Sequence, residues 1–265
     1  MGSACGIPVP GRGHSSLLLS GAERSILIDA GEPCSRTLAE AGISSSLIDA
    51  ILLTHGHADH TGGLPMLIQS MWLSNRAKPL TIFLPAELSK PLQQWLNAIY
   101  LGPDFIPFEL KFVGWETQPV FDVCGLQIQP RETTHLQALK SKFGTDRFKS
   151  YSIRIKHSDF CVIFSGDLGS PKDLGAQLTS PVDLLVSELA HFPPHELFRF
   201  LIERKVGKLL LTHLAPELLG IEESIVREAG ALLTETSVLV ARDGLRVPFS
   251  PDSELEAADF ADDTD

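Results

Sequence analysis

The chain has 265 residues, 43% of them apolar, and a formal net charge of −11 at pH 7. That length supports one large α/β domain, which would bury roughly three quarters of the surface of its unfolded chain; it is placed at residues 1–250, with 251–265 as an acidic, disordered tail. No apolar stretch approaches the roughly 20 residues that cross a bilayer, and no signal segment is recognisable at the start, so a cytoplasmic protein without membrane contact is expected. Met1-Gly2 begins as a myristoylation signal does, but Gly6 stands where Ser or Thr is wanted. Cys5, Cys34, Cys124 and Cys161 are widely spaced and read as reduced, mostly buried thiols.

In chain order, residues 16–19 and 25–28 read as a hairpin, 37–41 as a short helix ended by Gly42, and 51–54 as a strand. Gly62 and Gly63 open a helix carrying Leu64, Leu67, Ile68, Met71 and Trp72 at helical spacing, and their missing side chains are expected to let the backbone approach a metal site. Met66, Met71 and Trp72 read as core or interface residues, and a homodimer is one expectation. Further strands are predicted at 80–84, 108–113, 125–128, 151–156 and 161–164, and a helix from Pro194 to Lys205, stopped by Gly207.

The chemistry concentrates after the strand at 51–54. His55, His57, Asp59 and His60 lie within six positions, and imidazole with carboxylate is the ligand set that suits zinc. His135, Asp167 and His213 each follow or close an apolar run, and in open α/β sheets ligand sites gather at the carboxyl ends of strands. His14, His157 and His195 read as surface or capping residues.

With the run His55-Gly56-His57-Ala58-Asp59-His60, the chain resembles the metallo-β-lactamase superfamily of hydrolases over nearly its whole length. The resemblance implies a four-layer αβ/βα sandwich with a dinuclear centre of two divalent ions, zinc foremost and manganese the alternative. It implies that His55, His57 and His135 hold one ion, that Asp59, His60 and His213 hold the other, and that Asp167 bridges them. Asp29 would support the site from behind, or else simply cap a turn.

Within that superfamily the stretches 6–10, 26–32, 164–167 and 183–188 resemble ribonuclease Z and related phosphodiesterases. Three departures stand out. The interval from His135 to Asp167 leaves no room for a tRNA-binding arm. In the segment Ser187-Glu188-Leu189-Ala190-His191, Glu188 matches a His-Glu-Ala-Thr motif but Ser187 replaces its His. The strand that normally precedes the Gly-rich turn is missing, or the start is set late.

Residues 131–156 hold Arg131, Lys140, Lys142, Arg147, Lys149, Arg154 and Lys156 against Glu132 and Asp146, a balance of +5 beside His135. Such a field would attract an anionic phosphodiester, whether a small molecule or an RNA end. The expected chemistry is hydrolysis by a metal-bridging hydroxide, with Asp59 as ligand and base and His191, oriented by Glu188, protonating the leaving oxygen. A lactonase or glyoxalase-like thioesterase of the same fold is the first rival, and a non-catalytic binding or assembly protein the second.

Overall fold

Period-two alternation of apolar side chains assigns each strand two faces to bury. In the computed structural model, which describes residues 1–21 and 24–248, Ile26 and Ile28 of β2 (Ser25–Ile28) enter one core while Leu27 enters another. In β3 (Ala50–Leu52) and the residue after it, Leu52 joins the first core, and Ile51 and Leu53 join the second. Strands apolar on both faces belong between two other layers.

Among the described residues one sheet runs β1 (Leu17–Ser20), β2, β3, β4 (Leu80–Leu84), β5 (Leu110–Gly114). β1 and β2 pair antiparallel, and the other pairs are parallel. The second sheet contains β6 (Phe121–Val123), β7 (Leu126–Glu132), β8 (Tyr151–Lys156), β9 (Cys161–Phe164), β10 (Val182–Leu189), β11 (Val206–Leu214) and β12 (Ser237–Val240). Its spatial order is β12-β11-β10-β9-β8-β7-β6, antiparallel from β6 to β9 and parallel from β9 to β12.

The two sheets face each other across Ile28, Leu52, Phe83, Ile153, Val162 and Leu184. Outside the first sheet lie α1 (Cys34–Glu40), α3 (Leu64–Leu73) and α4 (Ala86–Ala98); outside the second lie α6 (Pro194–Leu201) and α7 (Glu222–Leu232). This is the expected four-layer αβ/βα sandwich. α3 buries Leu64, Leu67, Ile68 and Met71 completely. Each is worth about 1.5–3 kcal/mol of apolar burial, so Leu67→Ala would cost about 2–5 kcal/mol.

Several expectations need correction. The first helix begins at Cys34 rather than 37, because Pro33 suits a helix start. α6 ends at Leu201, before the expected stop at Gly207, since β11 already begins at Val206 and the chain must turn in between. α4 escaped the sequence reading because Pro91 sits inside it. Cys124 is exposed, while Cys5, Cys34 and Cys161 are buried. The acidic tail lies outside the described residues. Among those described, no helix is long and apolar enough to cross a membrane.

Candidate metal centre

Five chain segments leave strand ends on one edge of the sandwich. After β3 the chain passes through Thr54 and His55 into the short helix α2 (Ala58–Thr61), which carries Asp59 and His60. His135 follows β7, Asp167 follows β9, and Glu188 lies near the end of β10. His213 stands in β11 at a bulge: Thr212 pairs with Glu188 and Leu214 with Leu189, leaving His213 between them with φ +50°. A bulge of this kind re-aims one side chain without breaking the sheet.

The ligand-type atoms fall into two groups, His55, His57, His135 and Asp167 in one, and Asp59, His60 and His213 in the other. In the first, His57 Nδ1 lies 3.0 Å from His55 Nε2 and 3.3 Å from His135 Nε2. Asp167 Oδ2 faces that group, 3.7 Å from His55 Nε2 and 3.5 Å from His135 Nε2. Its other oxygen, Oδ1, faces the second group, 3.3 Å from His60 Nε2 and 3.6 Å from His213 Nε2. Asp59 Oδ2 closes that group at 3.4 Å from His60 Nε2 and 3.7 Å from His213 Nε2.

Electrostatics favours neutral imidazoles in the first group. Burial and neighbouring histidines push His55 well below the usual histidine range, and burial pushes His135 down to about 4. Burial opposes ionisation of Asp59, but the hydrogen bond and charge of His60 outweigh it and hold the carboxyl at about 2. These neutral imidazoles and the ionised Asp59 are ready to bind a metal. Burial would lower His60, but the Asp167 and Asp29 carboxylates raise it well above the usual histidine range, so it must release its proton when a metal binds. Buried His60 Nε2 and Asp167 Oδ1 find no hydrogen-bond partner. Buried polar atoms are rarely left so, and a divalent ion held in the second group would satisfy both.

Asp29 is fully buried and has φ +56°. It accepts hydrogen bonds from Thr54 N at 2.8 Å and from His60 Nδ1 at 2.7 Å, which fixes the ring that presents Nε2 to the centre. The supporting role therefore describes its contacts better than a simple turn cap. Thr54, which the sequence reading passed over, links Asp29 to His55, its Oγ1 lying 3.1 Å from His55 Nδ1. A Cβ on Gly31 would fall 2.2 Å from the Asp59 carbonyl oxygen, so only glycine allows this approach.

His191 stands beside the first group, its ring 4.5 Å from that of His135 and its Nε2 3.9 Å from Asp167 Oδ2. Its Nδ1 donates to Glu188 Oε1 at 2.9 Å. Burial lowers its proton affinity, but the Glu188 hydrogen bond and charge outweigh this and raise it. Glu188 also accepts from Leu168 N at 2.9 Å and Ala190 N at 2.6 Å, joining His191 to the Asp167 loop. The cavity here measures about 290 Å³ and is lined by His57, Asp59, Asp167, His191 and His213, with Gly6, Ile7 and Glu217 at its walls.

One expectation about the surroundings fails and another is weakened. Gly62 and Gly63 do not clear space for a metal; added Cβ atoms would meet the carbonyl oxygens of Ala58 and of Ala30 and Gly31, so these glycines serve backbone packing. The balance of the +5 stretch falls to +3, because Glu87 and Glu116 reach it from other segments. Arg154 is buried and donates to Gln177 O and Ser180 Oγ, Lys140 pairs with Glu132, Arg147 with Glu87, and Lys149 with Asp146 and Glu116. Of the spare histidines, His14 bonds Cys5 O through Nδ1 at 2.7 Å, His157 contacts Asp159 at 3.3 Å, and His195 is exposed.

Residues 2–195 match the family model described as Anti-Pycsar protein Apyc1. The chain belongs to this family. A ribonuclease Z of Agathobacter rectalis is 32% identical over 183 residues, covering 69% of this chain and 55% of that protein. The chain thus spans about half the length of the curated relatives it matches. Among solved structures, the metallo-β-lactamase fold protein YhfI from Bacillus subtilis superposes with a TM-score of 0.73 at 22% identity, covering 92% of this chain and 95% of that one. The short form of human tRNase Z gives 0.70 at 18% identity, covering 94% and 97%. The fold of this Anti-Pycsar protein Apyc1 family member is that of the metallo-β-lactamase superfamily.

Proposed function

We propose that the chain is a dinuclear metal-dependent hydrolase whose substrate is an anionic phosphodiester, a small molecule or an RNA end. The observation that carries this reading is the division of the Asp167 carboxylate between two ligand groups, Oδ2 toward His55, His57 and His135, Oδ1 toward His60, His213 and Asp59. Divalent ions held there, zinc foremost, would neutralise phosphoryl charge and acidify water.

The chain's own groups supply the rest. Asp59 lines the cavity as an ionised carboxylate and would orient water as a hydrogen-bond acceptor. His191 would hold a proton on Nε2 at the cavity wall, its Nδ1 hydrogen engaged by Glu188, and deliver it to the departing oxygen. A phosphodiester with a poor leaving group needs such an acid, whereas a thioester leaves without one. This dyad supports phosphodiesters more directly than the basic stretch does, whose balance Glu87 and Glu116 reduce to +3.

A substrate panel on zinc-loaded protein tests the reading: nucleoside phosphodiesters, nitrophenyl phosphodiesters, thioesters, lactones and a tRNA precursor, with metal content measured alongside. Phosphodiester turnover is expected to lead. His191→Ala should lower turnover of the nucleoside diester by roughly 100-fold while largely sparing the nitrophenyl ester. Thioester or lactone turnover ahead by tenfold in kcat/KM, or zinc content near zero, overturns the proposal.

A further inference from the structure

We propose that Asp173 is a positioning residue that aims His135 and so tunes the half of the centre formed with His55 and His57; this rests on the dinuclear reading above. Asp173 lies in a short 3-10 turn, Pro171–Leu174. Its Oδ2 accepts hydrogen bonds from Thr134 N at 2.9 Å, Gly169 N at 2.9 Å and Ser170 N at 3.4 Å. The Thr134 hydroxyl donates to the same carboxylate, 3.0 Å from Oδ2 and 3.1 Å from Oδ1. Thr134 immediately precedes His135, and Gly169 stands two residues after Asp167, so one carboxylate ties two ligand-bearing loops together.

Reciprocal capping between Ser170 and Asp173 accounts for the Ser170 bond alone. It does not account for the bonds to Thr134, 39 positions away. The loops also meet directly: a Cβ on Gly169 would lie 2.2 Å from Thr134 Oγ1 and 2.8 Å from its carbonyl carbon, so glycine is what lets Asp173 reach across.

Among the described residues the His135 ring has no outer hydrogen bond, a lack shared with His213 but not with His60 or His55. His60 has Asp29 on its other ring nitrogen and His55 has Thr54. None of the described residues hydrogen-bonds the Nδ1 of His135; its Nε2 faces the centre. The helix that follows, α5 (Gln137–Phe143), buries none of its residues, and of the chain just after His135 only Leu136 is buried. The aim of the ring is therefore set from the Thr133–Thr134 side, where Thr133 Oγ1 donates to Asp167 O at 2.8 Å and Asp173 holds Thr134.

Calorimetric titration of metal-free protein with zinc, backed by chelator competition, tests the assignment. Wild type should take up two ions. Asp173→Ala should weaken one of them tenfold or more, within the range seen when outer partners of metal ligands are removed, and leave the other within about twofold. Asp173→Asn should restore most of the loss, because all three backbone N–H groups converge on a single oxygen that Asn keeps. Ser170→Ala, which breaks only the local capping, should leave both ions unchanged. If Asp173→Ala fails to fold, Thr134→Val, which deletes only the hydroxyl bond, should weaken the same ion severalfold. Equal weakening of both ions, a Ser170→Ala effect as large as that of Asp173→Ala, or an unaltered titration overturns the proposal while the dinuclear reading stands. A wild type that takes up no zinc overturns both.

Discussion

Replacing Asp29 with Ala removes the acceptor that four buried groups share, Ser15 Oγ the most distant at 3.4 Å. Thr54 N at 2.8 Å, Thr54 Oγ1 at 3.0 Å and His60 Nδ1 at 2.7 Å all point at its carboxylate, and Thr54 and His60 are at most 1% exposed. The Thr54 and Ser15 hydroxyls can rotate, whereas Thr54 N and His60 Nδ1 are fixed, so these two donors are left without partners. Each buried orphan costs about 1–3 kcal/mol, or about 2–6 kcal/mol together. Ala at the left-handed φ of +56° adds about 1–2 kcal/mol. Relief of the buried charge offsets part of this, and a net loss of about 3–5 kcal/mol is expected in metal-free protein by urea unfolding. Asp29→Asn keeps one oxygen and tolerates the left-handed conformation, so it should lose about half as much. Both variants should also bind zinc more weakly, since the His60 ring loses its anchor. A loss below about 1 kcal/mol for the alanine variant would refute the view that Asp29 organises the edge of β3.

The thiols should separate sharply: burial pushes Cys34 up to about 12, so in native protein at pH 8 a thiol reagent should label exposed Cys124 first and Cys34 roughly a thousandfold more slowly than after unfolding. Rapid labelling of Cys34 in folded protein would contradict that environment. For Asp49, burial opposes ionisation, but the Lys78 and Ser25 N–H bonds outweigh it and lower the carboxyl below its usual value. A depressed carboxyl stabilises the fold above its unfolded value of about 3.9 and loses that contribution as pH falls through the lower folded value. The stability difference between wild type and Asp49→Asn should therefore be constant from pH 7 to 5 and vanish toward pH 2, by urea midpoints; a difference that persists at pH 2 would remove the linkage.

Strands β2, β4 and β9 were readable to within a residue because their apolar side chains occupy both faces in a short run bounded by turns, and β8 because Tyr151, Ile153 and Ile155 alternate with polar residues. α3 was readable from its four buried positions at helical spacing. α4 and α5 were not: Pro91 interrupts the first, and the second buries nothing, so neither leaves a periodic trace. The charge of the basic stretch was overcounted because a count along the chain omits Glu87 and Glu116, partners brought to it by other segments.

The sequence by itself determined the local cluster His55, His57, Asp59 and His60, since spacing along one strand exit is a local property, and the sandwich layers were expected only through the family resemblance that cluster carries. Only the tertiary structure decided how Asp167 divides its two oxygens, which ring nitrogen each histidine presents, and that His191 pairs with Glu188 beside the centre. It alone brought Asp29 to His60 and Asp173 to Thr134. Such contacts join residues tens of positions apart through sheet register and bulges, and one carboxylate rotamer or one residue of slip would redirect them. Their energies arise from burial that no single segment possesses until the two sheets close.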